Sequence, residues 1–111
     1  MSTITNEFMM EMLAKTKNYT AVVLKKGPND NIPERQQLIW EHGRRNFELR
    51  ESGMLSIVCP VIEDSDIRGI GIFNADKEEV KKLLAEDPAI QKGVMIYEIL
   101  HVKSFPGDAL P

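Results

Sequence analysis

The strongest constraint on this 111-residue chain is the order in which its hydrophobic periodicity changes. Thr5 to Lys17 sets Phe8, Met9, Met12 and Leu13 at helical spacing. Glu7 lies near the start of that segment, and Lys15 and Lys17 near its end, the charge order that suits a helix dipole. Tyr19-Thr-Ala-Val-Val-Leu-Lys25 is instead rich in strand formers and stops at the turn signal Lys26-Gly-Pro28. Asp30, Asn31 and Pro33 then mark a helix start, since a small polar cap and a proline in the first turn both suit one. This helix is predicted to run from Pro33 to about Ser52 and to end on Gly53 as its C′ residue.

Met54 to Pro60 is a second predicted strand, and Val61 to Ile67, with Glu63, Asp64, Ser65 and Asp66, a solvated loop. Arg68-Gly-Ile-Gly-Ile-Phe-Asn74 is a third strand, in which Gly69 and Gly71 permit close approach of another backbone. Asp76 three residues before Glu79 resembles a capping box, which predicts a helix over Lys77–Ala85. Asp87-Pro88 opens one further short turn ending near Gly93. Val94 to Lys103 is the longest strand, and Ser104 to Pro111 a tail. After the N-terminal helix the order is strand–helix–strand–strand–helix–strand. That is the split βαβ plan of ferredoxin-like folds, an α+β class in which two helices cover one face of an antiparallel sheet. No repeat or linker interrupts it. We expect residues 19–111 to form one βαββαβ domain and residues 1–18 an N-terminal helical extension.

The last strand carries a second implication. Val94, Ile96, Leu100 and Val102 lie on one face, and Met95, Tyr97 and Ile99 on the other. The first strand repeats this, with Val22 and Leu24 against Ala21 and Val23. A sheet covered on one side only alternates apolar with polar residues, so the second face also needs a cover. Either the N-terminal helix folds across it or a second copy packs sheet to sheet in a two-fold dimer. So much apolar sheet favours the homodimer, a dimeric α+β barrel.

Composition removes several classes of function. The single cysteine, Cys59, excludes an internal disulfide and a multi-cysteine metal site, and two histidines exclude a histidine-rich one. Fourteen Lys and Arg against 17 Asp and Glu give a net charge of −3, which argues against a nucleic-acid partner. No secretory signal is recognisable and no apolar run approaches a membrane span, so the expected home is cytoplasmic.

His42 is the most informative side chain. It shares a stripe of its helix with Leu38 and Leu49, and that stripe should face the sheet. An inward histidine is either a general base or a core residue whose ring nitrogens are simply satisfied. Asp87, before Pro88, is an ordinary helix N-cap, yet from the end of the second helix it could also reach His42 and fix its tautomer. Arg68 opens a strand beside the acidic loop, suited to anchoring a substrate carboxylate or to a surface ion pair. Arg44, Arg45 and Arg50 read as the wet side of their helix, Cys59 as a small buried hydrophobe and His101 as packing or interface. Asp64 and Asp66 lack the ligand count of a calcium site, and Gly69-Ile-Gly71 is not at a strand-to-helix turn, so neither is a cofactor motif.

Tyr19–Leu24, the helix carrying His42, Glu51-Ser-Gly-Met-Leu55, Arg68-Gly-Ile-Gly-Ile-Phe73, Asp87-Pro88, Tyr97-Glu98 and Ser104-Phe-Pro-Gly-Asp108 together resemble the YCII-related family. The similarity spans roughly Tyr19 to Asp108, and Cys59-Pro60 stands where relatives often carry Gly-Pro. The resemblance implies a dimeric ferredoxin-like fold and a catalytic histidine–aspartate pair at His42 and Asp87. It also implies kinship with muconolactone isomerases and dehydrochlorinases. The resulting expectation is a cofactor-free, metal-free enzyme that eliminates or isomerises a small anionic or phenolic molecule, with Arg68 as substrate anchor. The alternatives are a non-catalytic small-molecule-binding or interaction module on the same fold and, with least support, a haem or flavin oxygenase.

Overall fold

The computed structural model describes residues 2–111, so the first residue of the expected N-terminal extension lies outside it. Its elements are α1 (Asn6–Ala14), β1 (Lys17–Lys26), α2 (Arg35–Glu51), β2 (Leu55–Pro60), β3 (Ile67–Phe73), α3 (Lys77–Ala85), α4 (Pro88–Gln91) and β4 (Met95–Ser104). The four strands pair antiparallel in the order β2-β3-β1-β4. This is the α+β, ferredoxin-like arrangement expected from the periodicity.

Local signals account for most boundaries. Thr5 caps α1, and Asp76 caps α3 by accepting from the Glu79 N–H at 2.9 Å. Gly53, at φ +83°, follows the Ser52 C-cap of α2, the left-handed position that glycine fills at least cost. The start of α2 differs from expectation. The helix begins at Arg35 rather than Pro33, and Glu34 at its N-cap makes no side-chain cap bond. Asp30 does not cap it, because its carboxylate is engaged by Arg35 and Arg68 instead.

The register sets the covered face of the sheet. Val22 lies opposite Gly71 and Ile99, and Leu24 opposite Gly69 and Tyr97. On this face Val22, Leu55 and Phe73 pack with Val80 and Leu84 of α3. Ala89, Val94 and Met95 form a second cluster with Leu38 and Ile39 of α2, and Leu24 and Ile90 touch both clusters. Full burial of side chains of this size stabilises by roughly 1.5–3 kcal/mol each.

The other face keeps several of its large apolar residues in solvent: Ile70, Ile96 and Leu100 are 42%, 48% and 50% exposed. Helix α1 buries none of its residues, and its Phe8, Met9 and Leu13 are also exposed. It therefore does not fold across the sheet, which removes one of the two expected covers. Two residues separate α1 from β1, and the chain is elongated, 56 Å along its longest axis. Among the described residues no helix is long and apolar enough to cross a membrane.

Candidate functional site

Helix α2 turns Leu38, His42 and Leu49 toward the protein interior, as its spacing predicts. The His42 side chain is 12% exposed, and its Nδ1 lies 2.5 Å from Oδ2 of Asp87, which is 4% exposed. The other oxygen of Asp87, Oδ1, accepts from the Ala89 N–H at 2.9 Å and caps α4. Capping and histidine contact, opposed as alternatives by sequence, coexist because the carboxylate has two oxygens and each serves one partner. A carboxylate only accepts, so a neutral His42 ring carries its proton on Nδ1. The lone pair is then left on Nε2, where the Asn46 side-chain amide lies 3.3 Å away. Asn46 sits one helical turn beyond His42, and that i+4 spacing is the sequence signal that could have singled it out.

His42 and Asn46 line a cavity of about 370 Å³ between α2 and the sheet. The cavity exists because β3 offers glycine on its covered face. A Cβ at Gly69 would meet only the Cys59 carbonyl at 3.5 Å and Leu24 Cδ1 at 3.7 Å, both ordinary contacts. At Gly71 it would meet the Leu55 Cδ1 at 3.3 Å. The expected close crossing of another backbone is absent. Open volume lies beyond Gly69, whereas the ends of the Leu55 and Phe73 side chains close over Gly71.

A second group of charges lines the same cavity. Asp30 accepts from Arg35 Nε at 3.1 Å through Oδ1 and from Arg68 Nη2 at 3.3 Å through Oδ2. Burial alone would raise the Asp30 pKa, but the Arg35 hydrogen bond and the charges of Arg35, Arg68 and Lys26 outweigh it. The carboxyl is held below its ordinary 3.8. Arg68 Nε is buried and has no hydrogen-bond partner. Sequence reasoning singled out Arg68 here but not Arg35, and assigned Asp30 only to capping.

Three other expectations change. Arg45 is not on the wet side of α2: its side chain is 21% exposed and donates through Nη2 to the Leu83 carbonyl at 2.8 Å and to Glu86 at 3.1 Å. It thereby adds a second donor to a carbonyl near the end of α3 that also accepts from the Glu86 N–H at 3.3 Å. Arg44 and Arg50 are exposed as expected. Cys59 is exposed rather than buried, because the bulge between Leu55 and Ile57 puts it opposite Ile70 on the open face of the sheet. His101 is also exposed, which removes the packing reading and leaves the interface one. No cluster of three or more His, Cys, Asp or Glu among the described residues is placed to hold a metal ion.

No family profile matches the chain, and no curated protein matches it by sequence. A solved structure does. It is 5-chloro-2-hydroxyhydroquinone dehydrochlorinase (TftG) from Burkholderia phenoliruptrix AC1100, in complex with 2,5-dihydroxybenzoquinone. The TM-score is 0.53 at 16% identity, with 74% of this chain and 90% of that one covered. The two share a fold.

Proposed function

We propose that this protein is an acid–base enzyme of the YCII-related type, acting on a small aromatic or anionic molecule by elimination or isomerisation. The observation that carries this reading is His42, tied at Nδ1 to a buried carboxylate and bordering a 370 Å³ cavity. That volume lies within the usual range of small-molecule sites. A base needs an orienting partner and access to the substrate, and the Asp87 contact and the adjoining cavity support that role for His42.

In the proposed step His42 Nε2 takes a proton from the substrate, from a hydroxyl where the ring is phenolic or from a carbon where it is not aromatic. The electron pair released forms a new double bond and expels a leaving group such as chloride. In an isomerisation it shifts along the conjugated system, and the imidazolium returns its proton at another carbon. Asp87 stabilises the imidazolium and keeps the ring in the reactive tautomer. Proton transfer and leaving-group departure balance without an external oxidant or reductant. Arg68 is the candidate substrate anchor.

We further propose that the working form is a homodimer closed through the open sheet face of Ile70, Ile96 and Leu100, with residues 19–111 as the catalytic domain and a cytoplasmic setting. The apolar exposure of that face supports the dimer.

The test is chloride release from a chlorinated hydroxyhydroquinone, the substrate class named for the structural neighbour, by wild type and His42→Ala. Loss of general acid–base catalysis lowers the rate about 10²–10⁴-fold. Full activity in His42→Ala overturns the mechanism. Substrate binding without turnover in the wild type favours the binding-module alternative.

A further inference from the structure

We infer that Arg68, Arg35 and Asp30 form an anion subsite, and that the molecule held in the cavity carries a carboxylate or an ionised enol or phenol at the end away from His42. This deepens the reading above and rests on it for the identity of the cavity as a substrate site.

Three observations converge. First, the cluster is charge-unbalanced: two guanidinium groups share one carboxylate, so it carries a net charge of +1. The low Asp30 pKa keeps that carboxylate ionised, so its charge is already counted. Second, neither arginine is used up. Each gives Asp30 a single N–H, Arg35 through Nε and Arg68 through Nη2, although a guanidinium offers a fork of donors suited to a planar anion. Third, the Arg68 side chain stays 31% exposed at the cavity wall, so the guanidinium donors it does not give to Asp30 remain reachable, while its Nε is buried without a partner.

Asp30 acts here as a positioning residue. It reaches Arg35 five residues along the chain and Arg68 thirty-eight residues away, holding the first turn of α2 and the start of β3 at one corner of the cavity. The rest of the lining is mostly apolar, with Val22, Leu55, Val58 and Phe73 among it. A flat apolar body with one anionic group fits this division. A neutral molecule of the same shape forgoes the charge-assisted hydrogen bonds of the two guanidinium groups.

Calorimetric titration with benzoate and with benzamide tests the inference, because the two are near-isosteric and differ in charge. Wild-type protein is expected to bind benzoate at least tenfold more tightly than benzamide. Arg68→Met is expected to abolish that preference and Arg35→Met to reduce it, with circular dichroism checking the fold of each. Arg35 is the more exposed of the two, so its variant carries the test if Arg68→Met does not fold. Equal binding of the two probes, binding of neither, or a preference that survives in the folded arginine variants overturns the subsite. His42→Ala should keep the benzoate preference, so failure of the base mechanism and failure of the subsite are separately visible.

Discussion

His42 and Asp87, separated by 45 positions in sequence, meet at 2.5 Å through a carboxylate whose other oxygen caps a helix. One side chain therefore does two jobs, and two substitutions separate them. Asn is as good an N-cap as Asp, whereas Ala removes the cap at a cost of about 1 kcal/mol. Asp87→Asn should unfold close to the wild-type temperature and Asp87→Ala clearly below it. Nitrogen-15 NMR of the imidazole should show the Nδ1–H form in wild type and a mixture of tautomers in Asp87→Asn. An unchanged tautomer would mean that Asp87 does not orient the ring.

The cavity depends on residues without side chains. Gly69→Leu introduces its Cβ at ordinary contact distances and sends the rest of the side chain toward open volume. The variant should fold with stability near that of wild type and bind cavity ligands at least tenfold more weakly. Gly71→Ala presses on the end of the flexible Leu55 side chain and should cost no more than about 1 kcal/mol, the low end of overpacking penalties. Chemical denaturation and ligand titration on the same samples check both.

Gly27 is fixed by a different constraint. A Cβ there would stand 2.2 Å from the backbone oxygen of Gly93, which cannot rotate away as a side chain can. The Gly27 N–H donates to Val94 O, and the Asn29 N–H to Gly93 O, so this contact also sets the turn that presents Asp30. Gly27→Ala should destabilise by about 1–3 kcal/mol or more, read from the urea midpoint.

Asp30 makes acid stability predictable in sign. Its pKa is lowered in the folded protein, so its contribution is fully present above the unfolded value near 3.8. That contribution is lost as pH falls from there through the lower folded value. Asp30→Asn should be less stable than wild type at neutral pH, with the difference shrinking below about pH 4. A constant difference across that window in thermal melts would show that Asp30 is not held as an anion.

The open sheet face offers a direct test of the proposed homodimer. Leu100→Glu places a charge among exposed Ile70, Ile96 and Leu100, where it is harmless to a monomer but costly in a closed apolar interface. Light scattering should give twice the chain mass for wild type and the chain mass for Leu100→Glu. A monomeric wild type at micromolar concentration would remove the dimer.

How much of this was legible follows from the range of each signal. Asp76, Gly53 and the strand formers of Tyr19–Lys25 act on their own few residues, and the helix and strands they announce are where the sequence puts them. Asp30 misled because a polar residue before a proline is a good cap in isolation, while its real partners lie five and thirty-eight residues away. Arg45 misled in the same way: its helix position says solvent, and the end of α3 supplies acceptors that spacing does not reveal. Cys59 went astray because a bulge changes which face a strand residue meets, and nothing local announces it.

The sequence by itself determined the α+β class, the order of elements, two helix caps and the candidate histidine, because hydrophobic period and backbone preference are properties of short stretches. The tertiary structure decided the rest. It brought Asp87 to His42, joined Asp30 to Arg68 and opened a cavity over Gly69. Such contacts depend on how helices lie across a sheet and which rotamers then fit. That geometry is set by packing between distant segments, and no local period encodes it.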